Sequence, residues 1–124
     1  MGPEVFPIAT ASPSVLSVLG TGPTRLWPFG NAPQNETRPY AVFQTVYGNP
    51  DNKLACPPTE DLWGVQFDAY AKTVSEARAV AEALRNAYEA SGNYVVAYNG
   101  EDREPATMLW RVSFTVEFWT ERTS

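Results

Sequence analysis

The sequence predicts an α+β fold: a mixed or antiparallel sheet with one long helix packed on one face and a short N-terminal helix. Three observations predict it. First, Thr73-Val-Ser-Glu76 has the form of a capping box, in which the threonine hydroxyl accepts from the Glu76 amide and the carboxylate reaches back. Behind it Ala77, Val80, Ala81, Leu84, Ala87 and Tyr88 make one apolar stripe at helical spacing. Second, Met108, Trp110, Val112, Phe114, Val116 and Phe118 occupy strictly alternate positions, with Arg111, Ser113, Thr115 and Glu117 between them. That is the period of a strand. Third, the helical segment lies between strand-like segments, and such an order suits a sheet with a helix against one side.

The elements follow in chain order. Residues 1–10, with Pro3 and Pro7, are expected to form an extended arm. Ser12 before Pro13 reads as an N-cap and a first helical position, so a short helix should run over 13–19 and stop at Gly20 and Gly22. A helix this short is unstable alone and must dock. Residues 24–29 make a first short strand, and 31–39 a polar loop holding Pro33 and Pro39. The aromatic and β-branched run 40–47 is a strand, ended by the turn cluster Gly48-Asn-Pro-Asp-Asn52. Residues 53–61 include Pro57 and Pro58 and should be an irregular loop. In 62–71, Val65, Phe67 and Ala69 alternate with Gln66, Asp68 and Tyr70, which is again strand periodicity. The helix spans 74–91, with Gly92 suited to the position after its end and with Arg78–Glu82 and Arg85–Glu89 spaced for i,i+4 pairs. Two final strands, 93–99 and 108–118, can pair as a hairpin across a charged turn at 100–106.

The 124 residues fit one domain, 1–124, with a core drawn from a 44% apolar composition. Charged residues are 19%, low for a free-standing monomer. Either partners cover part of the surface, or Pro, Asn, Thr and Ser supply the missing polarity. The formal net charge of −5 argues against nucleic-acid binding through clustered Lys and Arg. No signal-peptide pattern opens the chain, and no apolar run approaches the ~18 residues of a membrane span. The chain therefore reads as soluble, made inside the cell, with no membrane partner.

Candidate chemistry is sparse. There is no histidine, which removes the commonest general base near neutral pH and the commonest metal ligand. The single cysteine, Cys56, permits neither an intrachain disulfide nor a thiolate zinc cage, and it has no histidine to activate it. Asp68 with Glu117 is the one carboxylate pair that could make an acid–base site, against the blander reading of a polar sheet face. Acids at 101, 102 and 104 lack the spacing of a calcium loop, and no Gly-rich phosphate loop occurs. The expectation is no catalytic residue, no metal and no cofactor.

The aromatics point elsewhere. Four Trp, six Tyr and six Phe are many for this length. Phe118 and Trp119 put a large ring on each face of the last strand, so both faces need cover, and one long helix covers one. Either a neighbouring subunit or the short N-terminal helix and loops must cover the other. Trp63, Arg111 and Trp119 are the candidate interface residues, because Trp and Arg are the usual anchors of such contacts.

Several stretches resemble the tail completion proteins of long-tailed siphophages. They are Val5-Phe-Pro-Ile-Ala-Thr-Ala, the segment 18–30 reading Val-Leu-Gly-Thr-Gly-Pro-Thr-Arg-Leu-Trp-Pro-Phe-Gly, Ala32-Pro33, and Arg38-Pro-Tyr-Ala-Val-Phe-Gln-Thr-Val. Gly48-Asn-Pro, Val65-Gln-Phe-Asp-Ala-Tyr-Ala, Ser75-Glu-Ala-Arg-Ala-Val-Ala and Arg111-Val-Ser-Phe-Thr-Val-Glu-Phe-Trp belong to the same pattern, which spans nearly the whole chain. The resemblance implies a tail terminator. Such a protein forms a ring, usually of six copies, on the head-proximal end of the tail tube, stops tube growth and meets the head–tail connector. It implies a homo-oligomer, a tail tube protein and a connector protein as partners, and viral DNA passing through without sequence-specific binding. It implies a place in the virion after assembly in the host cytoplasm, and no catalytic residues. The competing classes are another ring-forming connector or tube component, and a small enzyme with a carboxylate site.

Overall fold

The computed structural model describes residues 3–32, 39–50 and 60–121, the side chain of Pro50 excepted. The order is α1 (Val5–Thr10), α2 (Pro13–Leu19), β1 (Leu26–Pro28), β2 (Tyr40–Pro50), β3 (Glu60–Ala71), α3 (Val74–Ala90), β4 (Tyr94–Arg103) and β5 (Trp110–Glu121). The five strands form one mixed sheet in the order β1-β2-β3-β5-β4, in which β1 runs parallel to β2 and every other pair is antiparallel.

The long helix is built as the capping box dictates. Thr73 has extended backbone angles, and its hydroxyl accepts from the Glu76 amide at 3.2 Å, satisfying one donor of the first turn. The same hydroxyl lies 3.3 Å from Glu76 Oε1. The helix ends where Gly92 takes φ 88, a conformation that costs glycine nothing. Ser12 caps α2 from 3.5 Å, and Pro13 fills its first turn.

The α3 stripe Ala77, Val80, Ala81, Leu84 and Tyr88 is buried against Val65, Phe67 and Ala69 of β3 and Val112, Phe114, Val116 and Phe118 of β5. These strand residues face one another in register, Val65 opposite Val116, Phe67 opposite Phe114 and Ala69 opposite Val112. Phe67 is the hub of an aromatic cluster. It stacks on Phe114 with centroids 5.2 Å apart and meets Tyr88 at 5.0 Å, while Tyr88 meets Phe118 edge-on at 5.1 Å. Such ring pairs add to the area they bury.

The structure corrects several expectations. Residues 5–10 of the expected arm are helical, with Val5 and Ala9 in the core and the Tyr88 hydroxyl donating to the Val5 carbonyl at 2.9 Å. Pro7 does not prevent this, because it sits within the first turn, where its missing N–H would be unpaired anyway. The first strand is Leu26–Pro28, shorter than the expected 24–29. Strand β2 runs through Gly48 to Pro50, where a turn was expected, because Leu62–Gly64 and Asp61 of β3 supply partners. Proline is tolerated there because, among the described residues, β1 pairs only with Ala41–Phe43 and no strand pairs with the outer edge of β2 at Pro50. Residues 60 and 61 belong to β3 rather than to a loop. Strand β4 continues to Arg103, so the hairpin turn moves to 104–109, and Met108 falls in it at 53% exposed rather than in the core stripe. Arg78 leaves Glu82 for Glu101 of β4, with Nε–Oε2 at 2.6 Å and Nη2–Oε1 at 2.7 Å. Arg85 keeps its i,i+4 partner Glu89, at 3.9 Å. Most of the loops expected at 31–39 and 53–61, the end of the 48–52 turn, and Cys56 lie outside the described residues.

Candidate functional site

Both N-terminal helices pack on α3, on the side of the sheet that the long helix already covers. The short N-terminal helix therefore does not cover the second face, and among the described residues no helix does. This second face, which no described helix covers although Val42, Asp68, Ser113 and Thr115 in its middle are buried, is the candidate site.

Register defines its rows. One row crosses four strands: Tyr47 of β2, Gly64 of β3, Glu117 of β5 and Tyr94 of β4. A β-bulge between Thr45 and Tyr47 turns Tyr47 onto this face. Its ring lies flat across Gly64, where any Cβ would collide with it, and its hydroxyl donates to Glu117 Oε2 at 2.5 Å. Partial burial, then the Glu117 carboxylate, push the Tyr47 phenol up to about 12. Trp119 opposite Leu62 lies one row further out, and Glu121 opposite Glu60 beyond it.

The middle rows are polar. Gln66 faces Gln44 and Thr115, and Asp68 faces Val42 and Ser113. Asn99 covers Thr115 and Ser113 through its amide, at 2.9 and 3.4 Å, which helps bury both hydroxyls. Gln66 Nε2 approaches the buried Asp68 carboxylate at 3.3 and 3.4 Å. The edge strand adds Trp27 opposite Val42, and its buried indole N–H has no hydrogen-bond partner among the described residues. At the far end Tyr40 stacks on Tyr70 at 5.1 Å. Arg111, opposite Tyr70, is bidentate with Asp102, both contacts at 3.1 Å. Burial, then the Asp68 charge, raise the Tyr70 phenol above its ordinary range.

Arg111 and Trp119 thus share the second face, at opposite ends. Trp63 is separate. It stands in β3 on the helix side, packs across Gly48, and donates its indole N–H to Thr120 Oγ1 at 2.7 Å. Asp68 and Glu117 share a face but make no pair. Glu117 faces Gly64, four residues from Asp68 along β3, roughly 13 Å at strand rise and too far for a two-carboxylate site. Among the described residues no cluster of acids or cysteine could hold a metal, and no helix is long and apolar enough to cross a membrane.

The sequence reading missed Tyr47, Gly64 and Tyr94 as one unit. Nothing local announces a bulge, and only pairing brings the three strands together.

A family model described as tail completion protein gp17 matches residues 3–121. Among solved structures, a chain of the virion of a native gene transfer agent particle superposes with a TM-score of 0.71 at 12% identity. That match covers 95% of this chain and 92% of the other, a likeness of fold. No curated protein matches the chain at a significant level.

Proposed function

Because the chain belongs to the tail completion protein gp17 family, we propose that it is the tail terminator of a long-tailed phage. It is a structural, non-enzymatic component of the virion tail. In the proposed role copies assemble as a ring of six on the head-proximal end of the tail tube. The ring ends tube growth and offers a surface to the head–tail connector. The protein is made and assembled in the host cytoplasm, and viral DNA passes through the ring without sequence-specific binding. An acidic protein serves such a passage, since like charges keep DNA from sticking.

The observation that carries this reading is the sheet face opposite the helices. It presents aromatic groups at both ends of a polar centre, and no described helix covers it. A ring requires head-to-tail contacts between two different patches. The second face with Arg111 and Trp119 serves as one patch, and the sheet end with Trp63 on the opposite side as the other.

The test is an image of assembled tails together with Arg111→Glu. The expected result is a ring at the head-proximal tube end, and a variant whose assembly is weakened more than its fold, which loses the Asp102 pair. A single copy, or a ring elsewhere on the particle, refutes the terminator reading. A ring within the connector would assign the chain there.

A further inference from the structure

We propose that Asn99 is a covalent modification site, at which hydroxide and water convert the asparagine to aspartate or isoaspartate at a rate held down by the Thr115 hydroxyl.

Asparagine is among the thermolabile residues. Its side chain cyclises onto the backbone nitrogen of the residue that follows, so that residue governs how easily the reaction runs. Of the seven asparagines in the chain, only Asn99 precedes a glycine. Each of the others precedes a residue with a side chain or a proline ring, which crowds or removes the attacking N–H. Gly100 has no Cβ to do so, and with φ 115 it takes a backbone conformation that favours glycine.

The fold leaves this pair within reach of solvent. Asn99 is the extra residue of a β-bulge: the register passes from Tyr98 opposite Phe114 to Gly100 opposite Ser113, and Asn99 has no residue opposite it. Strand β4 ends the sheet order, so among the described residues no strand pairs with its outer edge. Asn99 and Gly100 are both exposed.

The reaction needs only solvent. Hydroxide takes the Gly100 amide proton, and the nitrogen attacks Asn99 Cγ. The Cγ–Nδ2 bond breaks, and Nδ2 leaves as ammonia after taking a proton from water, which restores the hydroxide. Water then opens the succinimide ring. Cleavage at the side-chain carbonyl gives aspartate, and cleavage at the main-chain carbonyl gives isoaspartate.

The sheet opposes the first step. Asn99 Nδ2 donates to Thr115 Oγ1 at 2.9 Å and to Ser113 Oγ at 3.4 Å. These bonds hold the side chain over β5 and must yield before Cγ can reach the Gly100 nitrogen. Conversion in turn removes the amide donor from two buried hydroxyls.

The experiment keeps the folded full chain at mildly alkaline pH and follows each asparagine by peptide mass mapping, with isoaspartate detected by enzymatic methylation. The expected result is conversion at Asn99 ahead of every other asparagine. Thr115→Val, which keeps the branched shape of the strand residue, should raise the Asn99 rate about fivefold, the order of one neutral hydrogen bond. Ser113→Ala should raise it less, and replaces Thr115→Val if that variant does not fold. Tyr88→Phe loosens the fold from the helix side, where the hydroxyl holds the Val5 carbonyl, and should leave the Asn99 rate unchanged. Asn99 converting no faster than Asn86 or Asn93 overturns the proposal. So does an unchanged or slower rate in Thr115→Val, or in Ser113→Ala where it stands in. Equal acceleration in Tyr88→Phe overturns it too, since the reaction then runs through the unfolded chain.

Discussion

Adding one methyl group at Gly64 should destabilise the protein, although the same change in an ordinary strand helps. Glycine inside a strand costs roughly 0.5–1 kcal/mol relative to alanine through backbone entropy. Gly64 is buried in β3, opposite Tyr47 on one side and Glu117 on the other. A Cβ there would run into the Tyr47 ring, which must then swing away. Overpacking of this kind costs about 1–3 kcal/mol. The displaced phenol also gives up its bond to Glu117, a charge-assisted contact of about 1.5–3 kcal/mol when buried and less here, where both partners are half-exposed. Set against the entropy gain, Gly64→Ala should lower stability by about 1–3 kcal/mol. Urea unfolding of a double-mutant cycle checks the cause. In a Tyr47→Ala background the collision is gone, and Gly64→Ala should become neutral or stabilise by up to about 1 kcal/mol. A similar loss in both backgrounds would refute the argument, because the ring could not then be the obstacle.

Three further outcomes are expected. Leu84→Ala removes three carbons from a fully buried site between α3 and the sheet, and should cost about 2–5 kcal/mol in chemical denaturation, with little loss arguing against this packing. Deleting residues 2–7 should lower the melting temperature sharply rather than spare the fold, because Val5 lies in the core. Tyr88→Phe should reproduce part of that loss, about 0.5–1.5 kcal/mol, through its bond to the Val5 carbonyl. Finally, stability should fall in alkali. The Tyr47 phenol titrates near 12 when folded against 10.0 for the free group, so its contribution is complete below pH 10 and lost as pH rises toward 12. Burial raises the Tyr88 phenol in the same direction. Tyr47→Phe should flatten the slope of stability against pH between those limits, and an unchanged slope would remove Tyr47 as the cause.

The elements that sequence reading placed well are those whose signals lie within a few residues. The Thr73 cap, the stripe through Leu84 and Tyr88, Ser12-Pro13 and the alternation from Val112 to Phe118 all reappear as read. Misreadings cluster where a distant strand decides. Gly48-Asn-Pro looks like a turn until β3 pairs with it, and Arg78 looks bound to Glu82 until β4 brings Glu101 closer. Glu4 to Thr10 lacks a strong cap and looks extended, yet docking on Tyr88 gives its short helix the support it cannot find alone.

By itself the sequence determined the fold class, the long helix with its buried stripe, the paired final strands and the family resemblance. It also excluded histidine-based chemistry, because composition does not depend on folding. The tertiary structure alone decided which sheet face the described helices cover. It put the three described helices on one side, split Trp63 from Trp119, and set Asp68 too far from Glu117 to form a pair. It also brought Tyr47, Gly64, Glu117 and Tyr94 into one row. The reason is physical. Periodicity and capping are written in neighbouring residues, whereas strand order, register and bulges arise from pairings between residues far apart in the chain.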